Sequence, residues 1–154
     1  MAILVCRVSE HGVVVDDEGK VLVLRSINSQ GQITDKWVFP GGRLEEEDKP
    51  GAALLREIKE ETGLENVEVL WPVFNSRWGS DQPQRYSVIY LCRCHGPHPI
   101  RLQLEEHPEY KWLPWNEAMK MPYTYPAFQI ALGRACFAYQ IPAIANYNFL
   151  NSTT

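Results

Sequence analysis

The chain has 154 residues, about one domain's length and enough to bury a hydrophobic core. A hydrophobic share of 45% against 22% charged residues excludes a disordered or fibrous chain and fits a globular domain. The net charge of -4 offers no basic stripe to track a nucleic-acid backbone. A nucleic-acid polymer is therefore an unfavoured partner, a small nucleotide stays open, and an acidic protein handling phosphates calls for a bound cation.

The start, MAILVCRVSEHG, is apolar for a few residues only and meets Arg7 and Glu10 at once, unlike a signal peptide. No stretch approaches the ~20 apolar residues of a membrane span, so no membrane partner and a cytoplasmic location are expected. Arg7–Asp16 and Lys20–Leu24 are rich in valine and leucine and flank DDEGK, which predicts a hairpin. Ser26–Lys36 is polar and reads as a loop. Trp37-Val38-Phe39 is a short apolar run halted by Pro40-Gly41-Gly42.

Pro50 opens and Gly63 closes a helical pattern. Val67–Val73 and Arg85–Cys94 read as strands joined by a polar loop holding Trp78, Gly79, Asp81 and Pro83. Glu109–Leu113 is a further short strand. Phe128, Ala131, Leu132, Ala135 and Cys136 recur at helical spacing within a helix over Pro126–Tyr139. The segment 139–154 has large apolar residues without a period and is expected to pack on the body or on a partner; it is compatible with a homodimer. With no repeat and no linker, 1–154 is read as a single domain, an α/β or α+β sandwich.

Cys6 and Cys136 lie in apolar segments, and Cys92 and Cys94 share one strand face. With His95 and His98, CRCHGPH invites a zinc reading, but a single residue between the cysteines is short of the usual two to four. Free thiols at a strand end are the better reading and suit a reducing compartment.

The chemistry concentrates in PGAALLREIKEET, residues 50–62. At 100° per residue Gly51, Leu54, Leu55, Ile58 and Thr62 form one arc, and Glu57, Glu60 and Glu61 gather on the next, with Arg56 four before Glu60. Like charges at this spacing oppose a helix by a few tenths of a kcal/mol per pair, roughly. A divalent cation among them would reverse that, and hard oxygen donors suit Mg²⁺ or Mn²⁺. A solvated acidic face is the plain alternative. Trp37–Gly42 favours the site, because the two glycines permit a sharp turn and close backbone approach just ahead of the acidic loop Arg43–Asp48.

These residues resemble the Nudix hydrolase family, whose box is G-x5-E-x7-R-E-U-x-E-E-x-G-U with U a bulky aliphatic. Here Gly42, five residues, Asp48, seven residues and Arg56-Glu57-Ile58-Lys59-Glu60-Glu61-Thr62-Gly63-Leu64 match eight of nine specified positions over 23 residues. The resemblance implies a Nudix-type α/β/α sandwich with a mixed β-sheet and metal-dependent hydrolysis of a phosphoanhydride in a nucleoside diphosphate linked to X. A nucleoside triphosphate or similar small nucleotide is the first expectation. ADP-ribose or a nucleotide sugar is the alternative, and a non-catalytic nucleotide-binding domain the rival of another class. The implied metal ligands are Glu57, Glu60, Glu61 and Asp48. Asp48 stands one methylene short of the family's glutamate, with Glu46 or Glu47 as substitutes should the loop shift. Arg56 would orient a glutamate, while Gly41, Gly42 and Gly63 shape the loop.

The family's additional glutamate after the box corresponds to the acidic turn LEEHPEYKW, with Glu106 preferred over Glu105 and Glu109, and His107 a weaker base. Arg25, Arg77 and Arg85 are candidate phosphate contacts, and Trp78, Tyr86 and Tyr123 candidate stacking residues. Trp37 and Trp112 read as core.

Overall fold

The structure is a computed structural model that describes residues 3–80 and 83–145. Strand β1 (Cys6–Val15) turns into β2 (Val21–Ile27) through a tight loop. There Asp16 Oδ1 accepts the N–H groups of Glu18 at 2.9 Å and Lys20 at 2.8 Å, the turn chemistry predicted for DDEGK. The segment read as a loop after Ser26 is instead a second hairpin. β2 runs on to Ile27, Asn28 ties the turn to Gln30 and Gln32, and β3 spans Ile33–Val38. β3 lies at the sheet's edge, where its polar residues face water and leave no apolar alternation to read.

Gly41–Arg43 forms a short strand, β4, against the middle of β1. Helix α1 (Ala52–Thr62) follows. Its N-terminus has no side-chain cap of its own; the carboxylate of Glu10 on β1 accepts the Gly51 N–H at 3.0 Å and the Tyr90 hydroxyl at 3.1 Å. That buried anion sits where the helix dipole is positive. At the other end Gly63 adopts the left-handed conformation and returns its N–H to Lys59 O at 2.8 Å, as its place in the pattern predicted.

β5 (Val67–Trp78) and β6 (Gln84–Cys94) make a long hairpin, so the strand predicted to stop at Val73 carries on through Trp78. Register shifts between Val69 and Trp71 and between Pro72 and Phe74 break its alternation, and Pro72 is tolerated because β5 is an edge strand. β7 (Tyr110–Leu113), a single turn α2 (Trp115–Ala118), helix α3 (Pro126–Tyr139) and a short α4 (Pro142–Ala145) complete the chain.

The strands form one sheet in the order β3-β2-β1-β6-β5, with β4 added to β1 and β7 to β2. β1 and β6 are parallel and the other pairs antiparallel, so the sheet is mixed. One face packs on α1 through Val14, Leu22, Leu24, Leu54, Ile58 and Tyr90. The other packs on α3 through Val13, Val15, Val23, Phe128, Leu132 and Ala135. The result is the three-layer sandwich expected. Among the described residues no helix is long and apolar enough to cross a membrane. Ile144 packs against the α3-side core, while the rest of the apolar tail, 146–154, lies outside the described residues.

Candidate functional site

Arg56 organises the outer half of the site. Its guanidinium meets Asp48 Oδ2 at 3.0 Å through Nη2, and Glu57 Oε1 at 2.9 Å and Glu60 Oε2 at 3.4 Å through Nη1. One planar cation thus holds three carboxylates that would otherwise splay apart. Asp48 Oδ2 also accepts the Glu45 N–H at 2.9 Å. That backbone hydrogen bond, reinforced by Arg56, keeps the Asp48 carboxyl below the usual aspartate range. The shorter side chain is therefore spent on Arg56 and on its own loop.

Gly42 lies directly against Glu57. A methyl group built on it would fall 2.4 Å from the carboxyl carbon and 2.6 and 2.8 Å from the two oxygens. Burial, with Glu61 and Glu60 nearby, raises the Glu57 pKa although Arg56 opposes the shift.

Glu61 turns inward. It is 5% exposed; Oε2 accepts the Gly41 N–H at 2.9 Å and Oε1 lies 3.1 Å from His107 Nε2. His107 Nδ1 is 3.0 Å from the Arg25 carbonyl. A carbonyl only accepts, so Nδ1 carries a proton, and a second proton lies between Nε2 and Glu61. Both pKa values are raised. Burial lifts Glu61 against the pull of His107; burial also opposes protonation of His107, but the Glu61 hydrogen bond and charge outweigh it. Donor atoms of Glu61, Glu106 and His107 lie within 4.8 Å of one another. Glu106 is exposed, and its Oε1 accepts from Gln103 Nε2 at 3.1 Å.

The helix thus divides its acids. Glu60 faces solvent, Glu57 fits under Gly42, and Glu61 enters the protein. The Glu57, Glu60, Glu61 and Glu106 oxygens are hard donors, with no cysteine among them. The mutual repulsion acting on Glu57 fits a Mg²⁺-like ion, which takes carboxylates plus water. Beside Glu61 opens a cavity of about 610 Å³ lined by Ser26, Asn28, Lys36, Phe39, Glu106 and Tyr125.

The softer candidates scatter. The Arg25 guanidinium lies 4.9 Å over the Trp37 ring and 3.9 Å from Glu109. Arg77 is exposed on β5 and lines neither this cavity nor the one holding Arg85. Arg85 stacks 5.0 Å from Trp78, which faces Tyr125 at 5.0 Å. Tyr86 donates to Asn75 on the exposed side. Tyr123 packs on Phe39 and donates to the Ala118 carbonyl, so it is framework. Trp37 is buried and Trp112 half-buried, in keeping with core roles.

Cys92 and Cys94 are buried in the α1-side core, His95 faces Glu68, and His98 packs on Trp112. Among the described residues no cluster of three metal donors includes a cysteine. Sequence reasoning missed His11 and Glu10, which β1 carries towards the cavities and helix α1. For His11 the signal was the alternation Arg7, Ser9, His11, Val13, Val15, and for Glu10 it was a lone carboxylate on the opposite row with Val8, Gly12 and Val14.

A model of the NUDIX domain matches residues 7–132. The RNA pyrophosphohydrolase of Acidiphilium cryptum (strain JF-5) is 28% identical over 128 residues, covering 72% of this chain and 78% of that one. The CTP pyrophosphohydrolase of Escherichia coli (strain K12) is 29% identical over 111 residues, covering 71% and 77%. The crystal structure of the MutT protein from Methanosarcina mazei Go1 superposes with a TM-score of 0.70 at 20% identity, over 92% of this chain and 100% of that one, a likeness of fold. The match runs from β1 into α3 and takes in the whole acidic helix, so the chain belongs to the NUDIX family of hydrolases.

Proposed function

We propose that this protein hydrolyses a phosphoanhydride bond of a nucleoside triphosphate or similar small nucleotide, with Mg²⁺ or Mn²⁺ as cofactor. The observation that carries the reading is the single guanidinium of Arg56 gathering Asp48, Glu57 and Glu60 while the same helix sends Glu61 into the cavity wall. The names of the two curated relatives, which act on CTP and on RNA, agree with a substrate bearing a phosphate chain.

In this reading Glu57, Glu60 and Glu61 hold the cation, and Asp48 supports them through Arg56. When bound, such an ion lowers the pKa of a water and neutralises phosphate oxygens. Arg56 fixes Glu57 and Glu60 so that their oxygens converge without reorganisation. Gly41 N–H and His107 fix Glu61 from two sides. Glu106, exposed at the cavity, is the general base: it takes the proton as the water oxygen bonds to phosphorus and the anhydride P–O bond breaks. The nucleoside lies in the cavity between Asn28 and Tyr125. The free thiols of Cys6, Cys92, Cys94 and Cys136 suit a cytoplasmic home.

The test is a panel of nucleoside triphosphates, ADP-ribose, nucleotide sugars and dinucleotides with added Mg²⁺, read as released phosphate or pyrophosphate. Wild type should turn over a triphosphate and Glu60→Gln should not. Tight cation binding with no turnover on any member would instead make this a nucleotide-binding domain.

A further inference from the structure

The mixed sheet gathers three arginines on one face. β1 and β6 run parallel with Arg7 opposite Arg85 and Ser9 opposite Ser87, while β4 sets Arg43 opposite Ser9 and β5 sets Trp78 opposite Arg85. Paired residues project to the same side of a sheet, so Arg7, Arg43, Arg85 and Trp78 surround one spot, a cavity of about 510 Å³ that also reaches Gly42. Its floor is polar: the Ser9 and Ser87 hydroxyls are 2.8 Å apart, and Trp78 Nε1 donates to Ser87 at 2.9 Å.

Two like charges directly opposite each other weaken strand pairing, and the arrangement is conspicuous in a chain of net charge -4. Among the described residues no carboxylate lies within 4.0 Å of any of the three guanidinium groups; Glu45, which lines the neighbouring hollow with Arg7 and Arg43, turns to Arg56 instead. This basic cavity adjoins the one lined by Glu61 and Glu106, since His11, Ser29 and Tyr125 line both.

We propose that Arg7, Arg43 and Arg85 form an anion subsite that takes a phosphate of the substrate beyond the scissile anhydride, selecting nucleosides with three or more phosphates over diphosphates carrying a neutral group. This deepens and rests on the hydrolase reading above. Arginine forks suit phosphate oxygens, and Arg85 is half-buried against Trp78, where partial enclosure strengthens its contact.

The test uses Arg7→Gln, Arg43→Gln and the double variant, with melting temperature as the folding control and Arg7→Lys as the charge-retaining comparison. Binding of inorganic tripolyphosphate to the metal-free protein, measured by calorimetry, should weaken about tenfold per arginine removed. KM for a nucleoside triphosphate should rise by a similar factor with kcat within about twofold, while ADP-ribose kinetics hold within about twofold. Tripolyphosphate binding that is absent in wild type, or equal in wild type and variants, overturns the subsite, as does an equal loss on both substrates. If wild type turns over no nucleotide yet tripolyphosphate binding falls in the variants, the hydrolase reading fails and the subsite stands.

Discussion

Gly42→Ala separates geometry from stability at the centre of the site. Gly42 does not hold a positive φ, so alanine meets no backbone strain there. Its methyl carbon would stand 2.4 Å from the Glu57 carboxyl carbon. Ordinary carbon contacts lie at about 3.5 Å, so the carboxyl group must retreat by about 1 Å. A displacement of that size at a reacting centre costs roughly 10²-fold in rate. Stability should barely change. Losing the partly exposed Arg56–Glu57 pair costs up to about 1 kcal/mol, and the stiffer unfolded chain returns about 0.4–1 kcal/mol. Gly41→Ala is the contrast: Gly41 has φ +146°, and an added methyl would fall 2.1 Å from the Glu10 carbonyl oxygen, so that variant should lose the fold itself. The assay is kcat/KM on the best nucleotide across a Mg²⁺ titration, paired with thermal melting. A Gly42→Ala enzyme within threefold of wild type, or one whose activity falls only with its melting temperature, would refute the argument that Gly42 is small to make room for Glu57.

Arg56→Lys should lower kcat by about tenfold or more with little change in melting temperature, since an ammonium cannot span Asp48, Glu57 and Glu60 together; unchanged kcat at saturating Mg²⁺ would count against its positioning role. His107→Gln should cost about 1–3 kcal/mol in denaturant unfolding by disrupting contacts to the Arg25 carbonyl and Glu61, and should weaken Mg²⁺ binding as well. Glu57 and Glu61 have pKa values raised above 4.5 and His107 above 6.5, so these groups hold more protons in the folded protein, whereas burial lowers His11 to about 4 and makes it hold fewer below about pH 6.5. Above about pH 6.5, where His11 is neutral folded or unfolded, metal-free stability should fall as pH rises through the raised His107 value, and calorimetric melts from pH 6.5 to 8 check the sign. Mg²⁺ should raise the melting temperature more at pH 8 than at pH 5, and chelation should reverse the gain.

Local periodicity made the acidic helix legible. Leu54 and Ile58 mark its buried arc, Gly63 ends it, and the box spacing fixes Glu57, Glu60 and Glu61 relative to one another whatever the helix packs against. The valine- and leucine-rich runs of β1 and β2 were equally plain, because buried strands must be apolar. β3 and the far half of β5 were not, since an edge strand satisfies part of its backbone with water and a bulge shifts the alternation by one residue.

The sequence by itself determined that several carboxylates would lie on one helix beside an arginine. Only the tertiary structure decided which of them turns inward. Glu61 meets Gly41 from a strand twenty residues earlier and His107 from a loop forty-six residues later. The three arginines of the basic cavity come from β1, β4 and β6 and share a face only because of strand register. The physical reason is range: helical spacing is set within a few residues, whereas burial, pKa and the convergence of charges depend on which distant segments the sheet brings together.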